Sequence, residues 1–234
     1  MRWDRSTILV LALLLANATA VLYFRFFITV DGPMHVLHAS VLEAHRATPR
    51  YMAEGITYDA DGLGTKFGDV LIMALLRLST PEQAHDIFAA LVCCVLVFSL
   101  AIFLRANGTR INAALLWLAP VSFSFLLIMG FFHFLLGVAV GFGVAAWWKW
   151  KAGSPYARWS GLVTGLFLAW CTHRSAPVFL CALILLLFAA ELAEKRMASA
   201  PGRPRSLFWP SVIAGVLLLL GLLMLGHLLR GTTL

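Results

Sequence analysis

Charged side chains are scarce in this sequence. They make up 12% of the 234 residues, whereas hydrophobic residues make up 61%; soluble domains average about 25% charged and about 45–50% apolar residues. Several apolar runs approach or exceed the roughly 18 residues with which a helix crosses a bilayer. These features exclude a soluble globular domain and predict an all-α, multi-pass transmembrane bundle that forms a single membrane domain over 1–234.

Cysteine is also rare, and its placement argues against a thiolate metal site. The sequence has four cysteines, all within apolar runs and without metal-ligand spacing: Cys93, Cys94, Cys171 and Cys181. We expect them to be small buried hydrophobic side chains. The net charge of +7 does not indicate a nucleic-acid partner, because the Lys and Arg residues lie mostly in short loops between apolar runs.

Seven spans are predicted, with one long polar insert after the first. The first span covers 6–30, and the insert at 31–86 holds eight of the eleven acidic residues. Within the insert, "FGDVLIMALLRL" (67–78) is only about 18 Å long as a helix, so it should lie at the interface or re-enter rather than cross a core about 30 Å thick. Six further spans are predicted within 87–229, near 87–104, 111–129, 131–148, 159–176, 177–194 and 208–229.

The distribution of basic residues predicts the orientation. After the insert, one set of loops carries nine Lys and Arg residues, and the opposite ends of the spans carry only Arg174 and Arg230. By the positive-inside rule, the N-terminus is cytoplasmic, the insert is external, and the protein lies in the cell (inner) membrane. The same arrangement places all seven histidines on the external side, so a functional site is expected there.

The stretch "VDGPMHVLHASVLEAH" (30–45) gathers titratable residues at the outer end of the first span. Its Gly-Pro pair favours a helix start, which places Asp31 at or beside the N-cap. Asp31 is therefore either a capping carboxylate or a base at the membrane boundary. His38 and His45 border an apolar helix face, and His35 lies further round the helix. Their spacings of three and seven are not the i, i+4 pair of a helical zinc site. Partly solvated interfacial histidines are favoured over metal ligands.

The polar loop "YDADGLGTKFGD" (58–69) contains a second group of candidates. Asp59 and Asp61 form an Asp-x-Asp pair that suits a divalent cation such as Mg²⁺ or Mn²⁺, although an ordinary polar turn contains the same residues. Lys66 and Arg174 are external and near the membrane, where they would bind a phosphate. Alternatively, Lys66 only snorkels and Arg174 only anchors the end of its helix.

Taken together, these features resemble the GT-C superfamily of membrane glycosyltransferases over most of residues 6–195. The resemblance is carried by "VDGPMH" after the first span, the long external insert, "STPEQAHDIFAALVCCVLVFSLAIFLRA" and the reversal in "LLIMGFFHFLLGVAVGFGVAAWWKW". In the uncharacterised bacterial members, "DGP-x-H" and a "GF-x-x-F-x-LG" reversal recur. Most members are longer, which favours reading this chain as a truncated module.

The resemblance implies glycosyl transfer from a sugar carried on polyprenyl phosphate to an acceptor on the extracytoplasmic face. Asp31 would be the catalytic base, and Lys66 and Arg174 would bind the donor phosphate. His35, His38 and His133 are the further candidates for substrate binding. Membrane lipids are the other expected partners.

A non-catalytic multi-pass protein is the alternative, either a lipid-binding protein or an assembly partner. A transporter is less favoured, because the predicted span interiors are nearly free of ionisable residues. A pH sensor built from the external histidines is a more distant alternative. The sequence does not specify the sugar, the acceptor, the need for a metal or the oligomeric state.

Overall fold

The computed structural model describes residues 5–23, 29–47, 66–108 and 125–198, and every regular element within these ranges is an α-helix. The all-α class predicted from the sequence is confirmed for this part of the chain. In chain order the helices are α1 (Arg5–Tyr23), α2 (Gly32–Ala47), α3 (Lys66–Leu76), α4 (Pro81–Ala106), α5 (Phe125–Ile128), α6 (Phe132–Trp150), α7 (Pro155–Thr172) and α8 (Ala176–Ala198).

Within the described residues, three helices are long and apolar enough to cross a membrane, namely α4, α6 and the Ala176–Glu194 part of α8. Large apolar side chains are also exposed on these and other helices, for example Phe98, Phe167 and Leu185. Soluble monomers rarely expose apolar surface on this scale, whereas lipid surrounds it at no cost. These properties indicate a membrane protein.

The predicted spans correspond to these helices only in part. The predictions at 87–104 and 177–194 fall within two of the candidate spans, and the prediction at 131–148 begins one residue before the third. The prediction at 159–176 overlaps α7, which is not among them because its first turns, "PYARWS", are polar and aromatic. The prediction at 208–229 lies outside the described residues.

The first predicted span, 6–30, is described only in part. Helix α1 is described from Arg5 to Tyr23, and residues 29–31 are not helical. The prediction at 111–129 is described only from residue 125, where α5 forms a single turn. The Gly-Pro pair does begin a helix, α2, as its sequence predicted.

Helix α4 packs against both α1 and α6, and α6 packs against α7. These helices belong to a compact unit, Met1–Pro177, and a second unit, Val178–Leu234, contains most of α8. The start of α4 is set by a capping box, in which Thr80 and Gln83 exchange side-chain to backbone hydrogen bonds. The four cysteines all lie in the described part of the chain and form no disulfide: Cys93 is buried as expected, whereas Cys181 is exposed on α8.

The short helix α3 contacts four other helices, α2, α4, α6 and α7. Its 11 residues extend for about 16 Å, too little to cross a bilayer core of about 30 Å. One side of it is buried, with Ile72 fully covered and Asp69 only 3% exposed. An ion pair between Arg77 Nη2 and Glu43 Oε1, at 2.7 Å, joins the turn after α3 to α2. Helix α3 therefore brings a carboxylate into a packed region between helices.

Backbone hydrogen bonds join the segment before α2 to the reversal before α6. The Val30 amide donates to the Ile128 carbonyl, and the next amide donates to the next carbonyl, both at 3.0 Å. The reversal ends at Gly130, which has a φ of +83°, a conformation that glycine adopts without steric cost. This junction holds the start of α2 against the start of α6.

We expect alanine at Gly130 to destabilise the protein more than alanine at Gly108. Both glycines have positive φ values, +83° and +72°, so both substitutions carry a backbone penalty of about 1–2 kcal/mol. A Cβ at Gly130 would also lie 2.6 Å from the Gly32 nitrogen, whereas one at Gly108 would meet nothing within 4 Å. Overpacking of this kind adds about 1–3 kcal/mol. Thermal unfolding of the two variants in detergent measures the difference, and equal losses would contradict the described junction.

Candidate functional site

A cavity of about 280 Å³ lies at one end of the first unit. Its walls combine carboxylates, imidazoles and phenyl rings that are far apart in the sequence. They come from the start of α2, from α3, from the start of α6 and from the residue after α7. The lining residues are Asp31, His35, His38, Asp69, Phe131, His133, Phe134 and His173.

Asp69 is the most enclosed carboxylate of this cavity, at 3% exposure. His38 Nδ1 lies 3.2 Å from its Oδ2, and His133 Nε2 lies 3.3 Å from its Oδ1. The second approach is close, but it lacks hydrogen-bond geometry, so Oδ1 and Nε2 each remain without a hydrogen-bond partner among the described residues. Buried polar atoms are nearly always hydrogen-bonded. The described part of the chain therefore satisfies the Asp69–His133 pair only in part.

A glycine makes room for His133 beside Asp69. A Cβ at Gly68 would overlap the Cδ2 and Nε2 atoms of the His133 ring. The ring is 3% exposed and lies 6.1 Å, between centroids, from Phe88 of α4. Because Gly68 has no side chain, the imidazole packs directly on the start of α3 and reaches the next residue, Asp69.

His35 completes the inner wall of the cavity. Its ring lies edge-on to His133, with 4.4 Å between centroids, and its Nε2 is 3.1 Å from the Gly130 carbonyl oxygen. Burial, followed by the neighbouring His133, lowers the pKa of His35 to about 4, against the opposing effects of Asp69, the Gly130 carbonyl and Asp31. His35 is thus neutral at pH 7. Its Nε2–H donates to the carbonyl, which leaves the lone pair on Nδ1 free.

Asp31 lines the same cavity from the position before α2. Its backbone carbonyl accepts the amides of Met34 and His35 at 3.1 and 3.2 Å, so it occupies the N-cap position through its main chain. No described residue donates a hydrogen bond to its carboxylate, which distinguishes it from a side-chain cap such as Ser154, whose Oγ accepts from Ala157. The Asp31 carboxylate is accordingly available to the cavity.

The structure brings together four of the residues singled out in the sequence, Asp31, His35, His38 and His133. The His38 side chain is 44% exposed, as expected for a solvated histidine, and His35 is half-buried, with its ring against Phe132 and His133 of α6. Arg174 is exposed in the turn after α7 and does not line the cavity.

The remaining predicted residues are not brought into the cavity by the described part of the chain. Lys66 is the first residue of α3, but its side chain lies outside the description. Asp59 and Asp61, the predicted cation ligands, lie outside the described residues altogether.

Asp69 and His173 belong to the cavity and were missed as candidate site residues from the sequence. For Asp69 a signal existed: it is the single acid in the apolar segment 67–78, and an ionisable residue in such a segment often marks a functional site.

His85 lies close to the cavity, with its ring 5.7 Å from Phe132. Both of its ring nitrogens already have partners, Thr29 Oγ1 and Asp86 Oδ1, each at 3.0 Å.

We expect alanine at Gly68 to displace His133 and to destabilise the protein, whereas alanine at Gly143 should be neutral or stabilising. Both glycines lie in helices, where alanine is normally favoured by about 0.5–1 kcal/mol, and a Cβ at Gly143 would meet nothing within 4 Å. Thermal unfolding gives the stability difference, and the imidazole NMR signals of His133 report its displacement. Unchanged His133 signals in Gly68→Ala would refute the described packing.

Comparison of this chain with protein-family models, with curated proteins and with solved structures finds no match. No relative therefore supplies a function for the cavity. The chemical character of its side chains is the basis for the function proposed below.

Proposed function

We propose that this chain is a membrane glycosyltransferase of the GT-C type, which transfers a sugar from polyprenyl phosphate to an acceptor hydroxyl on the extracytoplasmic face. The observation that carries the proposal is the position of Asp31. Its carboxylate opens onto a cavity lined by a second carboxylate and by histidines, and no described residue holds it by a hydrogen bond. The "DGPMH" stretch that resembles the superfamily begins at this residue.

The proposed topology is seven spans with a cytoplasmic N-terminus and an external insert. This topology is supported by the placement of the cavity and of the basic residues at opposite ends of the same helices. His85 and His133 lie near the N-terminal ends of α4 and α6, whereas basic residues lie at the opposite ends of these helices. There Lys151 lies over the Trp147 ring and Arg158 over the Trp148 ring, at 4.9 and 4.8 Å. Trp is enriched at both membrane interfaces, and an excess of Lys and Arg is typical of the cytoplasmic side.

In the proposed reaction, the acceptor oxygen attacks the anomeric carbon of the donor while Asp31 takes the proton of the acceptor hydroxyl. The bond between the anomeric carbon and the phosphate oxygen breaks, and the polyprenyl phosphate leaves with the electron pair. Attack opposite the leaving group inverts the configuration. Negative charge grows on the departing phosphate and needs stabilisation by positive groups. Arg174, exposed next to the cavity-lining His173, and Lys66 are proposed for this role.

The Asp31→Asn substitution should abolish most turnover and leave the fold intact, because asparagine matches the shape of aspartate but accepts no proton. General-base catalysis contributes about 10²–10⁴-fold, and a loss of this size is expected. The measurement is release of polyprenyl phosphate from a polyprenyl-phosphate hexose by the full chain in nanodiscs. The control is Glu82→Gln, since this acid is fully exposed at the start of α4, and it should keep wild-type turnover.

Native mass spectrometry of the same preparations separates catalysis from lipid binding. Wild type and Asp31→Asn should both retain a polyprenyl phosphate or its glycoside, and Arg174→Ala should retain less. Equal turnover of wild type and Asp31→Asn would reject Asp31 as the base. A bound isoprenoid lipid without turnover by the wild type would favour the non-catalytic, lipid-binding alternative.

Cysteine labelling of intact cells tests the proposed orientation. In a background that lacks the native cysteines, Leu78→Cys should react with a membrane-impermeant maleimide, and Ala152→Cys should react only after the membrane is opened. Both positions lie in exposed turns, after α3 and after α6 respectively. The reverse pattern would invert the topology and place the cavity at the cytoplasmic face.

A further inference from the structure

We propose that His35, Asp69 and His133 bind a divalent transition-metal ion, with zinc as the first candidate. One ligand atom from each residue is available, and the three atoms lie within 4.8 Å of one another. The residues come from α2, α3 and α6, so the site exists only in the folded chain. It is distinct from the Asp59–Asp61 pair of the polar loop, and its assignment does not depend on the proposed glycosyl transfer.

The distance between Asp69 and His133 suits two ligands of one ion. His133 Nε2 and Asp69 Oδ1 are 3.3 Å apart, and two ligands at about 2.0–2.2 Å from a tetrahedral zinc ion are themselves about 3.3–3.5 Å apart. Both residues are 3% exposed, and neither atom has a hydrogen-bond partner in the part of the chain that the structure describes. Leaving such atoms unpaired in the interior is unfavourable. A cation between them would satisfy both.

The polar atoms of His35 and Asp69 that would not bind the ion lie close to other polar groups of the protein. The His35 Nε2–H is used by the Gly130 carbonyl, 3.1 Å away, so its Nδ1 lone pair is free to bind an ion. His38 Nδ1 lies 3.2 Å from Asp69 Oδ2, the carboxylate oxygen that does not face His133. Metal-binding histidines commonly donate their second N–H to a backbone carbonyl, and metal-binding carboxylates are commonly hydrogen-bonded in this way.

The ligand types favour a transition metal over magnesium or calcium. Two imidazole nitrogens and one carboxylate oxygen suit zinc and its neighbours in the first transition series, whereas Mg²⁺ and Ca²⁺ prefer oxygen ligands alone. Three protein ligands leave a further coordination position, as in catalytic zinc sites. That position would face the cavity, where an anionic oxygen such as that of a phosphate would bind.

The test uses the full-length protein in detergent, stripped with a chelator, incubated with Zn²⁺ or Co²⁺ and freed of excess metal. Elemental analysis should find about one zinc per chain, and Co²⁺ should give the strong visible absorption of a tetrahedral site. Asp69→Asn and His133→Gln should weaken zinc binding by at least about 100-fold, since each removes a ligand. His38→Gln, which removes only a neighbour of the ligand, should weaken it by about 10–100-fold.

The matched control is His85→Gln, which replaces a buried histidine whose nitrogens are already bound by Thr29 and Asp86. It should bind zinc as the wild type does. His35→Gln leaves the Asp69–His133 contact in place, so its loss of zinc at unchanged helicity supports the site even where the Asp69 variant fails to fold. No zinc above background in the wild type, equal binding by Asp69→Asn, or binding of Mg²⁺ in preference to Zn²⁺ would overturn the proposal. If the zinc-loaded protein shows no glycosyl transfer, that result would count only against the proposed function.

Discussion

The placement of the helices around the cavity depends on the Asp69 carboxylate. This group is 3% exposed and lies between the imidazoles of His38 and His133. A carboxylate removed from water is stable only with polar partners around it. Helix α2 must therefore present one histidine and α6 another, with α3 between them. The short length of α3 allows this, because it ends before it would have to cross the bilayer.

Glycine makes this convergence possible. A Cβ at Gly68 would occupy the place of the His133 ring, and one at Gly32 would overlap Thr29 Oγ1 and His85 Nε2. Gly130, with its positive φ, lets the reversal before α6 approach the backbone before α2. At each position the missing side chain permits close contact between a backbone and a polar side chain or a second backbone. The close packing of the polar groups around the cavity therefore depends on these missing side chains as well as on attraction between the groups.

The two carboxylates of the cavity are suited to different tasks because their surroundings differ. Asp31 is part-exposed and has no hydrogen bond from the described residues, which suits a group that exchanges a proton with a substrate. Asp69 is enclosed by imidazoles, which suits a fixed ligand. The proposed glycosyl transfer depends on the first, and the proposed metal site depends on the second. Each proposal therefore has its own variant and its own measurement.

The sequence by itself determined the features that depend on local composition. The helical class, the positions of α4, α6 and α8, the helix start at Gly32-Pro33 and the burial of Cys93 follow from apolar run length and residue preference, which act over a few turns. The sequence also predicted that Asp31 and several histidines would share one end. Only the tertiary structure joined His35, Asp69 and His133, because contacts between helices depend on packing and not on spacing within one helix. The i, i+4 rule, which argued against metal ligation by His35, applies to a single helix and does not bear on a site assembled from three.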